Sequence, residues 1–246
     1  MDKALYVAMT GAGETLRAQA ANSHNLANIS MVGYRADLTA TAAIPVDGEG
    51  FASRVNALLG STGWDSREGG LLQTGGDLDV AVRGDGFLTV QDASGREAYT
   101  RAGNLRLTPQ GQLTTAAGQA VLGDSGPISV PPNQKLSIGD DGTISIVPLG
   151  QGPETIANVG RIRVMHAAPG DLLRGEDGLL RLRDGAAAAP VAGPSLMTGV
   201  LEGSNVNAAE ALVNMIQLAR QFEMQMRVMK TAEDNDKSST SLMRIG

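Results

Sequence analysis

A histidine and three asparagines lie close together in NSHNLANISMVGYR, residues 22–35, where side chains of these types could form a polar site. Asn22, Asn25 and Asn28 recur at three-residue spacing, with His24 beside them. A zinc site needs several His, Cys, Asp or Glu ligands at suitable spacing. The other histidine, His166, lies in a separate β-like segment, and the chain has no cysteine. We therefore interpret His24 as a packed or solvated side chain, with a pH-sensitive contact as the minor alternative.

Two short motifs are similar to ligand-binding motifs, one for phosphate and one for calcium, but the residues around each argue against ligand binding. Residues 11–15, GAGET, resemble part of a phosphate-binding loop but lack a preceding strand and the Gly-Lys-Ser/Thr ending, so small residues that allow close helix approach explain them better. Asp140 and Asp141 precede Gly142 without the long acidic loop and distal Glu of a calcium site, which indicates a hairpin turn. The sequence thus predicts no catalytic residue, no metal site, no cofactor and no small-molecule substrate.

The element that carries the asparagines is an amphipathic N-terminal helix. Its seam steps alternately by three and four residues, which is typical of a helix that packs along another helix, and it runs through Leu5, Met9, Ala12, Leu16, Gln19, Ser23 and Leu26. We expect this helix to end by Gly33, since glycine is common near helix C-termini.

The C-terminal residues show the same spacing over a longer helix, with Ser204 or Asn205 as the predicted N-cap and Glu210 in the first turns. The helix should exceed 30 residues. Its predicted seam runs through Leu212, Met215, Ala219, Phe222, Met226, Met229, Glu233, Asp236, Thr240 and Met243.

Between the helices the hydrophobic period changes to two, and Asp-Gly, Ala-Ser-Gly and Pro-Gln-Gly turn signals separate the apolar runs. This pattern predicts consecutive short strands near residues 78–82, 86–91, 97–101, 104–108, 112–115 and 119–122. The segments GDDGTISIV, GRIRVMH and GLLRLRDG continue it. With aromatic residues at only 3%, the core should consist of Ala, Val, Leu and Met.

The sequence therefore predicts an α+β fold, with a β-rich central domain between N- and C-terminal helices that pair as a coiled-coil-like arm. The predicted regions are an N-terminal helix over 1–35, an extended connector over 36–76, the β-rich domain over 77–200 and the C-terminal helix over 201–246.

The distribution of charge and of apolar residues excludes some classes of binding partner and some cellular locations. Residues 1–35 carry three basic and two acidic groups, a net charge of +1, and residues 205–246 carry five of each, a net charge of 0. Since the net charge of the whole chain is −6, the residues between them carry −7. An acidic middle without a basic stripe argues against nucleic acid. The apolar run from Ala4 to Met9 is too short for a cleaved signal, and no stretch approaches the ~20 apolar residues of a membrane span. By default, these features predict a cytoplasmic protein.

Assembly is the role that the helices favour. The N-terminal seam has four large apolar residues, and a helix pair of this composition should be marginal alone. If Asn22, Asn25 and Asn28 face other helices, their amides can set register at some cost in stability, as a buried asparagine does in a coiled coil. The predicted assembly interface comprises Leu5, Met9, Leu16, Asn22, Asn25, Leu26, Asn28, Leu212, Met215, Ala219, Phe222, Met226 and Met229.

Three motifs resemble the flagellar rod and hook family of axial proteins: NSHNLANISMVGYR, the β segments GDLDVAVRGDGFLTV and EAYTRAGNLRLTPQGQLTTAAGQAVLG, and MTGVLEGSNVNAAEALVNMIQLARQFEMQMRVMK. They occur in the family's order and span nearly the whole chain. The compact length and the MDKALYVAM start are most similar to a proximal-rod subunit, with a distal-rod subunit as the second choice.

The resemblance implies a structural subunit that stacks helically into the drive shaft crossing the periplasm, with terminal helices lining the inner tube. Its partners would be further copies of itself, other rod proteins and the flagellar type III export apparatus, through which family members leave without a cleaved signal. The alternative class is an enzyme or a carbohydrate-binding β domain with helical oligomerisation arms. That class needs a cleft with convergent polar groups, for which the sequence offers no constellation.

Overall fold

Two α-helices and many short strands make up the described part of the chain. The computed structural model describes residues 3–45, 55–150, 152 and 155–243. Helix α1 spans Lys3–Ala27 and helix α2 spans Ala208–Met243. Contacts divide the chain into two compact units: the first comprises residues 1–29, 37–63 and 206–246, and the second residues 30–36 and 64–205. The order of helix, β-rich middle and helix confirms the predicted α+β class.

The first unit contains α1, α2 and a two-stranded sheet of β1 (Asp37–Pro45) and β2 (Val55–Trp64), the last residue of which lies in the second unit. The two strands lie within 36–76, for which the sequence predicts an extended connector. Helices α1 and α2 pack along each other, and α1 also contacts β1.

The second unit holds the remaining strands. They are β3 (Leu71–Gln73), β4 (Val80–Val82), β5 (Gly86–Gln91), β6 (Glu97–Thr100), β7 (Leu105–Leu107), β8 (Leu113–Thr115), β9 (Ala120–Gly123), β10 (Gly126–Pro127), β11 (Asn133–Ile138), β12 (Thr143–Pro148), β13 (Ala157–Arg161), β14 (Val164–His166), β15 (Leu172–Arg174), β16 (Leu180–Leu182), β17 (Ala189–Pro190), β18 (Leu196–Thr198) and β19 (Val200–Glu202). A 3₁₀ turn, Pro169–Asp171, precedes β15.

Sheet pairing in this unit is antiparallel. The largest sheet follows the order β15-β16-β6-β5-β9-β8-β7, with β10 beside β9 and with β14 between β5 and β17. Strands β11, β12 and β13 form a second sheet, and β18–β4 and β19–β3 form two-stranded pairs. Strands β4 to β9 lie within two residues of the predicted strands, because period-two alternation and turn residues are local signals.

The core of the second unit is mainly aliphatic. Its largest cluster consists of buried Val, Leu and Ile side chains, among them Leu88, Leu113, Ile144 and Leu196, with the partly buried Ala157 packed against it. A second cluster gathers Trp64, Phe87 and Tyr99. The expectation of a core without rings is therefore wrong for this cluster, which uses three of the chain's seven aromatic residues.

A buried carboxylate joins the segments at either end of the second unit. The Glu202 carboxylate lies 2.6 Å from Nη2 of Arg35 and 3.1 Å from Nη1 of Arg101, and all three side chains are buried. The backbone N–H of Gly69 donates to Oε1 of Glu202 at 2.9 Å, and the N–H of Gly33 donates to the Glu202 carbonyl at 2.7 Å.

The surroundings of Arg101 complete this cluster. Arg101 donates to the carbonyls of Val82 and Gly84, and its guanidinium lies 5.1 Å from the ring centroid of Phe87. Burial lowers the pKa of the Arg101 guanidinium. Gly33 has φ +68°, and a Cβ there would lie 2.3 Å from the Arg101 carbonyl carbon, so only glycine fits.

Asn205 holds two backbone segments of the second unit, residue 36 and residues 65–67, which explains why it does not cap α2. Its Oδ1 accepts from Ala36 N–H at 2.8 Å, and its Nδ2 donates to the carbonyls of Asp65 and Arg67. The cap is Asn207, whose Oδ1 accepts from the N–H groups of Ala209 and Glu210. The prediction of Ser204 or Asn205 as N-cap is therefore wrong.

Glu202→Gln tests the buried cluster. The substitution leaves two buried guanidinium groups without an anion, so we expect the free energy of unfolding to fall by about 3–5 kcal/mol, the range for breaking a buried ion pair. The measurement is urea denaturation followed by tryptophan fluorescence, since Trp64 belongs to the same unit. Glu176→Gln, at an exposed turn of that unit, is the control and should change little. Equal stabilities of the two variants would contradict the assigned role of Glu202.

Candidate assembly surface

Helices α1 and α2 run antiparallel within the first unit. Near the end of α1, Asn22 Nδ2 donates to the carbonyl of Ala211, at the start of α2, at 2.7 Å. In the first half of α1, Gly11 lies beside Gln225, so that a Cβ on Gly11 would be 3.0 Å from Nε2 of that side chain. Residues later in α1 thus meet residues earlier in α2. The close approach at Gly11 agrees with small residues, and not a phosphate loop, as the explanation of GAGET.

The stripe of α2 that packs inward follows a regular three-and-four spacing. Its members are buried or half-buried, whereas the residues between them are exposed, and they are Ala211, Met215, Leu218, Phe222, Gln225, Met229 and Ala232. Among the predicted interface residues, Met215, Phe222 and Met229 therefore belong to this stripe. The corresponding stripe of α1 passes through Ala8, Ala12 and Asn22.

Other predicted interface residues do not face the partner helix of their own chain. Met9, Leu16, Leu212 and Met226 are exposed apolar side chains, and Ala219 is exposed between the last two. The predicted N-terminal seam therefore does not face α2 at Met9, Leu16 and Ser23, and packing of these residues on a helix of another chain stays a prediction. Leu5 and Leu26 are half-buried.

Helical geometry places these exposed residues on one side of the pair. At 100° per residue, Met9 and Leu16 lie about a quarter to a third of a turn from the inward stripe of α1, and Leu212, Ala219 and Met226 lie similarly beside that of α2. In both helices the exposed apolar residues are rotated from the inward stripe in the same sense along the chain. Because the helices are antiparallel, this rotation brings the exposed residues of α1 and of α2 to the same side of the pair. We call Met9, Leu16, Leu212, Ala219 and Met226 the open apolar face.

The three asparagines have different partners within the chain. Asn22 joins α1 to α2, as described above. Asn25 clamps the start of β1, because its Oδ1 accepts from Asp37 N–H at 2.8 Å and its Nδ2 donates to the Asp37 carbonyl at 3.0 Å. Asn28 donates to the carbonyl of His24 in its own helix. The three asparagines are equally spaced in the sequence, but each makes a different contact in the structure.

His24 lies at the surface beside an acid that sequence spacing did not reveal. Its Nδ1 is 3.0 Å from Oδ2 of Asp37, and the imidazole is largely exposed. Within the described part of the chain, no three His, Cys, Asp or Glu residues are grouped to hold a metal ion. Asp141 accepts from the N–H and the hydroxyl of Thr143, bonds that lower the pKa of its carboxyl, and Gly142 follows at φ +85°, which confirms the predicted hairpin turn.

A buried glutamate in α1 was missed by sequence reasoning. The Glu14 carboxylate accepts from the N–H of Leu59 in β2 at 3.1 Å and from Nη1 of Arg17 at 2.6 Å. It therefore holds the strand pair β1–β2 against the helix. A glutamate among small residues of a helix carries no local signal of this contact, because its partner lies 45 positions away.

The far end of the helix pair contains a mainly apolar groove. Leu5, Met226, Met229 and Ala232 contribute apolar surface, and Arg227, Lys230, Glu233 and Asp236 also line the groove. Glu233 pairs with Lys237 at 2.6 Å; the hydrogen bond lowers the pKa of the glutamate and raises that of the lysine. From Glu233 to Ser241 every residue of α2 is exposed. None of the helices in the described part of the chain is long and apolar enough to cross a membrane.

Comparison with known families gives the class of protein to which this chain of two paired terminal helices and a β-rich middle belongs, flagellar rod and hook proteins. Two family models match: the FlgE/F/G flagellar hook protein D1 domain over residues 81–146, and the C-terminal region of the flagellar basal body rod FlgEFG proteins over residues 197–242.

Similar proteins narrow the class further. The chain is 45% identical to the flagellar basal-body rod protein FlgF of Salmonella typhimurium and 44% identical to FlgF of Escherichia coli, each over the full length of both chains. It is 35% identical to the rod protein FlgG of Buchnera aphidicola from Schizaphis graminum, over 68% of this chain and 65% of that one. The chain belongs to the FlgF family of flagellar basal-body rod proteins.

Gly11→Leu and Gly13→Leu form a matched test of the helix contact. Both changes favour helix by up to about 1 kcal/mol. A side chain at Gly11 meets Gln225, whereas a Cβ at Gly13 has no other atom within 4 Å. We expect Gly13→Leu to raise the thermal stability of the helices and Gly11→Leu to lower it, with an overpacking cost of about 1–3 kcal/mol. Helical circular dichroism on heating measures both, and equal stabilisation would contradict the close approach at Gly11.

Proposed function

We propose that this chain is a structural subunit of the proximal part of the bacterial flagellar rod, where it polymerises helically through its terminal helices and transmits torque. The observation that carries the proposal is the full-length similarity to FlgF proteins, combined with a helix pair that leaves an apolar face open. Identity is 45% to FlgF over the full length, against 35% over 68% of the chain or 31% over 95% of it for FlgG proteins, which favours the FlgF-type position over a distal-rod one.

The open apolar face supports contact between helices of different subunits. Fully burying a Leu or Met side chain contributes roughly 1.5–3 kcal/mol, and Met9, Leu16, Leu212 and Met226 are exposed in the single chain. In the proposed assembly, helices of neighbouring subunits cover this face and complete a coiled-coil-like arm. The remaining predicted interface residues, Leu5, Asn22, Asn25, Leu26, Asn28, Met215, Phe222 and Met229, would order the helix pair that carries the face.

The mode of assembly follows from the shape of a rod. Contacts between different patches of successive subunits do not close, and they generate a helical filament instead of a ring. The proposed partners are further copies of the chain, other rod proteins and the flagellar export apparatus. The proposed location is the rod where it crosses the periplasm, reached without a cleaved signal peptide. The role requires packing and rigidity, and it involves no catalysis.

Leu212→Glu tests the assembly role in a motile bacterium that lacks its own FlgF and carries this chain. A charge on the open apolar face should prevent helix packing between subunits, because desolvating an unpaired carboxylate is costly. We expect motility in soft agar to be lost and the chain to be absent from isolated basal bodies. Gln217→Glu, at an exposed position on another face of α2, is the control and should remain motile. Normal motility with Leu212→Glu would contradict the proposal.

Limited proteolysis of the purified single chain tests whether the helices depend on assembly. Much of the apolar surface of α1 and α2 is exposed in one chain, so the pair should open readily. The second unit has its own core, the Glu202 cluster and the Asn205 bonds. We expect rapid cleavage within residues 1–29 and 206–246, leaving a resistant fragment near residues 30–205 that mass spectrometry identifies. Protection of both helices would contradict assembly-coupled ordering.

A further inference from the structure

The methionine side chains are the main groups of this chain that a peroxide can oxidise. Thiolates react with such oxidants, but the chain has no cysteine, and the thioether of methionine is the other sulfur group that they attack. Among the methionines whose side chains the structure describes, four are half-buried and four are exposed. The exposed ones are Met9, Met31, Met224 and Met226.

Two of the exposed methionines belong to the open apolar face. Met9 is 54% exposed and Met226 is 46% exposed. Gly11, two residues after Met9, lies beside Gln225, and Leu5, about one helical turn before Met9, lines the apolar groove together with Met226. Met9 and Met226 are therefore at the same level along the helix pair and on the same side of it.

The other two exposed methionines lie outside the open apolar face. Met224 is 56% exposed, but it comes two residues before Met226 and therefore points about 200° away from it around α2. Met31 is 51% exposed and belongs to the second unit. A peroxide can thus reach all four sulfur atoms in the single chain, whereas only Met9 and Met226 lie on the face that the proposed assembly covers.

Oxidation changes the character of these two side chains. Hydrogen peroxide transfers one oxygen atom to the thioether: the S–O bond forms while the O–O bond breaks, the sulfur loses two electrons, and the other oxygen leaves as water. The resulting sulfoxide is polar and disrupts methionine-rich interfaces. The other members of the open apolar face, Leu16, Leu212 and Ala219, have no side-chain donor for its oxygen. Burial of an unpaired polar group opposes association.

We propose that Met9 and Met226 are peroxide-sensitive modification sites of the unassembled chain, and that a sulfoxide at either position blocks incorporation of the chain into the rod. Assembly thereby selects chains whose open apolar face is unoxidised, and after incorporation the neighbouring helices shield both sulfur atoms. Methionine sulfoxide reductases reverse the modification, so an oxidised chain can become competent for assembly again. The inference rests on the proposed rod function.

Partition of oxidised chains between two pools tests the proposal, in a motile bacterium that lacks its own FlgF and its methionine sulfoxide reductases. The chain is expressed and treated with hydrogen peroxide, and catalase removes the peroxide before the other rod proteins are induced. Mass spectrometry compares each sulfoxide between the unincorporated chain and isolated basal bodies. We expect sulfoxide at Met9 and Met226 to be about tenfold rarer in basal bodies, whereas Met31 and Met224 should show equal fractions in both pools.

Substitutions at Met226 provide a second measurement without peroxide. Met226→Gln places a polar side chain on the open apolar face, as the sulfoxide does, and should lower incorporation into basal bodies about tenfold. Met226→Leu keeps the position apolar and removes the sulfur, so it should incorporate like the wild-type chain. Met224→Gln makes the same change on another face of the same helix and is the matched control, with wild-type incorporation expected.

The outcomes separate this inference from the rod function. If the untreated wild-type chain enters basal bodies, equal sulfoxide fractions at Met9 and Met226 in the two pools would overturn the inference and leave the rod function standing. Equal incorporation of Met226→Gln and Met224→Gln would do the same, as would resistance of Met9 and Met226 to peroxide in the purified chain. Absence of the untreated wild-type chain from basal bodies would overturn the rod function and the inference with it.

Discussion

The ion cluster around Glu202 is the interaction on which the second unit depends. A carboxylate without access to water is tolerated only when cations and donors surround it, and here Arg35, Arg101 and the N–H of Gly69 do so. Arg35 belongs to the segment that follows α1, and Glu202 belongs to the last strand before α2. The Glu202 carboxylate therefore connects the first and last segments of the second unit. Through Arg101, which donates to Val82 in β4 and lies over the ring of Phe87 in β5, it also connects them to the largest sheet.

The residues beside this cluster reinforce the same junction. Gly33 donates to the Glu202 carbonyl and can approach the Arg101 backbone only because it has no side chain. Asn205 uses all of its side-chain groups on residues 36, 65 and 67. The motif NSHNLANISMVGYR thus serves two purposes: its asparagines organise the first unit, and its final residues complete the second.

The first unit follows a different physical rule, since its helices have more apolar surface than one chain can cover. Three sides of α1 have separate roles: one packs on α2, one holds β1 and β2 through Asn25 and Glu14, and one carries Met9 and Leu16 in the open. A subunit that must pack with neighbours needs such uncovered surface. In the proposed assembly neighbouring subunits cover this surface, and we expect the helices to gain stability there.

The sequence by itself determined the two helices, strands β4 to β9 and the hairpin turn at Gly142, because periodicity and turn chemistry depend on near neighbours, and its motifs indicated the family. It did not predict the strand pair β1–β2, which lies in the expected connector. Only the tertiary structure decided which part of each helical stripe faces the other helix, that Asn205 binds two separate segments while Asn207 caps α2, and that Glu14 and Glu202 are buried. A spacing of three and four residues defines a stripe about half a turn wide but not the direction in which it packs. The partner of a buried charge is set by contacts between distant residues, such as Arg35 with Glu202, for which no local pattern exists.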